Sequence, residues 1–235
     1  MARVLLRRTM GTLRPTDPLN TEWVAGFFML VVASLAWIHA ISPRKWRLLG
    51  HSVSRVRLGR QVMREEVDLR DRTLIGLLVL GTSTMGLFGY QWAVSQAGVE
   101  AAWFRAVESM VLVLALIAVQ IALVQLAAFL FQADGGAQEY VYTLVLLTAF
   151  TGCLLLPVSL LVAYRPEWRP ALLIAGWACM GAMVLWRWLR AVAIGVGSGA
   201  PLRYIFIYLC ALEILPVAIA LRSLQQALLP DVRPH

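Results

Sequence analysis

The stretch Ser109–Phe131, SMVLVLALIAVQIALVQLAAFLF, decides the fold. It carries no charge, and at about 1.5 Å per residue it is long enough to cross a hydrocarbon core about 30 Å thick. Only a helix satisfies every backbone group of a single segment in that medium. Working outward, runs of the same kind occupy Trp23–Ser42, Thr73–Ser95, Val141–Tyr164, Ala171–Leu189 and Leu202–Leu221. Each is bounded by charge or turn chemistry, as in Asp134-Gly135-Gly136 and Arg165-Pro166-Glu167-Trp168-Arg169-Pro170. The pattern predicts an all-α, polytopic membrane bundle of about six transmembrane helices.

Composition agrees. Hydrophobic residues make up 60% of the 235 and charged residues 14%, which excludes an ordinary water-soluble surface. The net charge of +8 does not point to nucleic acid, because the basic residues collect at the ends of the runs and between Arg44 and Arg72. That distribution fits a bilayer with anionic headgroups as the partner. Cys153, Cys179 and Cys210 all lie inside apolar runs without metal-ligand spacing and read as buried thiols. The first run starts only at Trp23 and is followed at once by Arg44, Lys45 and Arg47, which mark a retained span rather than a cleaved secretory signal.

The organisation expected is a disordered N-terminal tail over residues 1–22, a membrane domain over 23–221 and a short tail over 222–235. The loop at 43–72 holds nine basic residues, three of them directly after the first span, which places it in the cytoplasm. Both termini are then periplasmic. The opposite orientation is supported only by Arg3, Arg7, Arg8 and Arg14. Within the loop, Trp46, Leu49, Val53, Val56, Met63 and Val67 recur mostly at three- and four-residue steps, with Arg55, Arg57, Arg60 and Arg64 between them. This is the pattern of an amphipathic helix lying on the membrane surface, and equally of a solvated helical hairpin packed on the bundle. Gly50 and Gly59 weigh against one continuous helix.

Glu213 is the most informative residue. It lies between Arg203 and Arg222, near the middle of the sixth run, where an ionised carboxylate costs several kcal/mol. Two states answer that cost: a neutral acid donating a hydrogen bond, or a carboxylate held by a cation or in a hydrated cavity. Pro216 cannot donate to the carbonyl of Leu212, which leaves an acceptor free beside Glu213, as in the broken helices of transporters. A structural acid bonding across helices accounts for it equally well.

Gln120 and Gln125 of the third run, with Thr148, Thr151 and Pro157 of the fourth, are candidate neighbours of Glu213, although packing explains intramembrane amides without any function. Tyr90, Tyr142, Tyr204, Tyr208, Trp92, Trp103, Trp168, Trp186 and Trp188 fall mostly near span ends, as an interfacial belt would. Arg187 and Arg190 close the fifth run and can snorkel to headgroups. Arg187 reaches Glu213 only if the two helices are offset in depth. Gly195-Val196-Gly197-Ser198-Gly199 lacks the strand and the Lys-Ser/Thr of a phosphate loop and reads as a flexible turn. No protease, metal or redox motif occurs, and His39, His51 and His235 are too scattered to suggest a site by spacing. Neither a metal nor a cofactor is expected.

The sixth run contains Tyr208-Leu209-Cys210-Ala211-Leu212-Glu213-Ile214-Leu215-Pro216. This resembles the Tyr-x-Cys-x-Leu-Glu-x-x-Pro ending of the domain of unknown function 4271 family of multi-pass bacterial inner-membrane proteins. The matching positions are Tyr208, Cys210, Leu212, Glu213 and Pro216, and the likeness extends over Trp23 to Leu221. It implies a bacterial inner-membrane location and a compact helical bundle but supplies no substrate. The large basic loop and the lack of catalytic motifs favour a non-enzymatic scaffold or accessory subunit of an envelope complex. The alternative is a small proton-coupled transporter using Glu213. A membrane-embedded lipid enzyme would need a second acid, base or metal ligand near Glu213.

Overall fold

The computed structural model describes residue 17, residue 19 and residues 21–41, 72–96, 102–130 and 136–197. These hold helices α1 (Glu22–Ile41), α2 (Arg72–Gln96), α3 (Trp103–Leu130), α4 (Gly136–Tyr164) and α5 (Arg169–Gly197), with a 3-10 turn at Pro166–Trp168 before α5. All five are long and apolar enough to cross a membrane, and no strand occurs among the described residues. The sixth run and the basic loop, with Arg44, Lys45, Arg47, Arg55, Arg57, Arg60 and Arg64, lie outside them.

Three helices exceed the apolar runs. α3 starts six residues before Ser109, because Arg105 and Glu108 lie on an exposed face and pair at 3.3 Å instead of stopping the helix. α4 starts at Gly136 and continues through Pro157 to Tyr164. α5 does not end at Leu189 but runs on to Gly197, so Gly195-Val196-Gly197 is helical and not the start of a turn. Ala191 to Ile194 are apolar and hold no helix breaker, and glycine is tolerated at a helix C-terminus.

The packing has a centre and a periphery. The apolar windows of α2 and α4 are 50% and 56% buried, against 17%, 17% and 11% for α1, α3 and α5. α2 and α4 therefore form the core pair, with α3 resting mainly on α2 and α5 on α4. What brings the two central backbones together is the absence of side chains at their crossing. A Cβ on Gly152 would lie 2.2 Å from the Cα of Gly81, and one on Gly81 would lie 2.9 Å from the Cα of Ala149. Van der Waals contact between close backbones is the main attraction available where lipid is as apolar as leucine. Large exposed residues such as Met29, Phe129 and Ile174 face outward from the peripheral helices, as lipid contact requires.

Candidate functional site

The polar side chains inside the bundle gather at three levels. At the end that holds the starts of α1, α3 and α5, the guanidinium of Arg169 donates to the Asp17 carboxylate and also to the carbonyl of Val162 at 3.2 Å. Asp17 also accepts from the backbone N–H of Leu19 at 3.1 Å. Leu19 is buried in an apolar cluster with Val24, Phe28, Leu155 and Leu173, so the chain before α1 is fixed to the α4–α5 corner.

One turn deeper, α2 and α4 are joined by a reciprocal pair. The amide of Gln91 donates to the backbone oxygen of Ser159 at 3.0 Å, and the Ser159 hydroxyl donates back to Gln91 Oε1 at 2.7 Å. Both residues are fully buried. Three further buried hydroxyls are satisfied within their own helices, Thr82 and Thr84 by the carbonyls of Leu78 and Leu80, and Thr151 by that of Leu147.

The third level lies toward the opposite end. On α5, Leu173, Gly176, Met180, Arg187 and Arg190 follow one another at helical spacing along the inward stripe. Leu173 and Met180 pack in the apolar core, and Gly176 lies under the ring of Phe88. Arg190 continues that stripe at 1% exposure, the largest fully buried side chain among the described residues. Arg187 is partly buried one turn away. Because α5 runs on to Gly197, both arginines lie inside the helix, seven and ten residues before its end, instead of closing it.

On α3, Gln120 is 4% exposed, and its Nε2 has no hydrogen-bond partner among the described residues. Thr143 Oγ1 on α4 is buried in the same condition. Gln125 is on the exposed side of α3 and is not a neighbour of this level. Glu213, Pro216 and Tyr208 lie outside the described residues. Thus the structure buries Arg190 and Gln120, leaves Arg187 half-buried and puts Gln125 on an exposed face. Sequence reasoning missed Gln91, Ser159, Asp17 and Arg169. The signal for Gln91 was available, since an amide inside an apolar run needs a partner on another helix.

Among the described residues no group of three or more His, Cys, Asp or Glu side chains is placed to hold a metal ion. Comparison with curated proteins and with solved structures finds no match to the chain. The family model described as "Domain of unknown function (DUF4271)" matches residues 24–224, from the first turn of α1 to just beyond the sixth apolar run. That span agrees with the extent of the likeness read from the last run, and with most of its length covered the chain belongs to the DUF4271 family.

Proposed function

We propose that this protein is a non-enzymatic scaffold or accessory subunit of an envelope complex, resident in the bacterial inner membrane. The observation that supports this reading is the dry, backbone-to-backbone contact at the centre of the bundle. Beside the Gly81–Gly152 crossing, Val31, Leu35, Leu80, Thr84, Cys153 and Leu156 line a crevice too narrow to admit a water molecule. A closely packed core of that kind suits a protein that positions surfaces for partners. The peripheral helices α1, α3 and α5 keep most of their apolar faces open to lipid or to the helices of a partner. Affinity purification of the full chain in a mild detergent tests the idea: a stoichiometric membrane or envelope partner is expected, and recovery of the isolated chain alone would count against it.

The buried Arg190 and the orphaned amide of Gln120 support a second reading, proton-coupled transport with Glu213 as the titrating group. In that case proteoliposomes under an imposed pH gradient carry a proton flux above that of empty vesicles. Glu213→Gln abolishes the flux while leaving thermal stability at or above wild type. Flux no greater than in empty vesicles would remove this reading and leave the scaffold standing.

A further inference from the structure

On α3, exposed residues recur at alternating steps of four and three, from Val111 through Ala115, Ala118, Ala122 and Gln125 to Phe129. Such a 3.5-residue repeat forms one nearly axial stripe, the geometry by which two parallel helices pack along a seam. The buried residues Ile117, Gln120 and Val124 lie on the opposite face of the helix, against the rest of the bundle. Only 17% of the apolar window of α3 is buried, and the stripe belongs to the part that is not. The three alanines at its middle let a second backbone come close.

Lipid alone does not account for the stripe. Gln125 lies five residues, about 7.5 Å along the axis, from the middle of the run Ser109–Phe131, well inside a hydrocarbon half-thickness of about 15 Å. Its side chain is exposed there and has no hydrogen-bond partner among the described residues. A primary amide in hydrocarbon is costly unless another polar group bonds to it.

The chemistry of the stripe selects what covers it. An amide both donates and accepts, so two Gln125 side chains related by a two-fold axis can bond to each other reciprocally. Two copies of one sequence insert in the same orientation, so their α3 helices are parallel and each residue of the stripe meets its own counterpart at the same depth. At one end Glu108 continues the stripe and Arg105 flanks it, both exposed and paired at 3.3 Å. A second copy brings both signs to that level, which makes this end of the seam self-complementary in charge.

We propose that the protein is a parallel homodimer in the membrane, joined along the α3 stripe from Val111 to Phe129, with the Gln125 amides paired across the two-fold axis. The dimer goes beyond both functional readings above and holds under either.

Two measurements on the full chain test it. In a variant with Cys153, Cys179 and Cys210 replaced by alanine, single cysteines are introduced and the membranes are oxidised before solubilisation. Ala118→Cys and Ala122→Cys should give a crosslinked species of twice the chain mass. Met29→Cys on α1 and Ile174→Cys on α5, although more than two-thirds exposed, should give none. In mild detergent, light scattering should find two chains per particle, and Gln125→Leu should raise the dissociation constant at least about tenfold. Gln125→Asn keeps the amide and should retain most of the dimer, whereas Ala118→Ile should lose it by holding the backbones apart. Both positions face away from the bundle, so these variants separate loss of the dimer from loss of the fold. A monomeric wild type, a dimer indifferent to Gln125→Leu and Ala118→Ile, or crosslinks from α1 or α5 with none from α3 would overturn the proposal. A crosslinked species of any other mass would give the stripe to a different protein and overturn it equally.

Discussion

Gln91 and Ser159 bond to each other in both directions, which makes them the sharpest test at the level of single residues. Ser159→Ala deletes the hydroxyl and leaves the Gln91 carbonyl oxygen buried without a donor. The expected cost is about 1 to 2 kcal/mol, and about the same for Gln91→Leu, which strands the serine. The double variant should cost clearly less than the sum, since no polar group is then left unpaired. Thermal unfolding of the four proteins in one detergent measures this, and strictly additive losses would mean that the pair is not coupled. Half of this was legible: an amide in an apolar run announces the need for a partner. The partner is 68 residues away on another helix, and no periodicity encodes that distance. The same gap explains Gln120 and Gln125. Both sit in a run that is apolar on every face, so no stripe distinguishes the inward amide from the outward one, and only packing places Gln120 inside and Gln125 outside.

At the level of elements the helices themselves were legible and their ends were not. Charges bound an apolar run but do not break hydrogen bonds between backbone groups, so α3 extends outward through Arg105 and Glu108 and α5 continues past Arg187 and Arg190. Which glycines matter was equally hidden, since in sequence each only weakens a helix. The contrast between Gly152 and Gly26 makes this measurable. A Cβ at Gly26 meets nothing within 4 Å, whereas one at Gly152 runs into the backbone of Gly81 at 2.2 Å. Gly26→Ala should therefore leave the melting temperature unchanged or raise it, with up to about 1 kcal/mol gained from helix propensity. Gly152→Ala must separate the α2–α4 pair and should lower stability by about 1 to 3 kcal/mol. Equal tolerance of the two substitutions would show that the Gly81–Gly152 contact is not what holds the core together.

For the whole molecule, chain direction fixes which ends lie together. The five helices alternate, so Glu22, Gln96, Trp103, Tyr164 and Arg169 belong to one end and Ile41, Arg72, Leu130, Gly136 and Gly197 to the other. The Asp17–Arg169 contact and the edge-to-face pair of Trp23 with Tyr90, at 5.9 Å between ring centroids, independently join elements at the first end. By chain direction Gly197 lies at the end of the bundle opposite the start of α1, the end that also holds Ile41 and Arg72. With the loop at 43–72 expected in the cytoplasm from its basic residues, a sixth crossing by Leu202–Leu221 predicts a periplasmic C-terminus. Alkaline phosphatase, active only outside the cytoplasm, should accordingly be silent when fused at Gly59 and at Ser198 and active at His235. Silence at both Ser198 and His235 would mean that five helices cross and the last run does not. Activity at Gly59 with silence at His235 would invert the molecule. The Ser198 fusion carries the discrimination: only a change of sign between it and His235 shows that the run containing Glu213 passes through the bilayer.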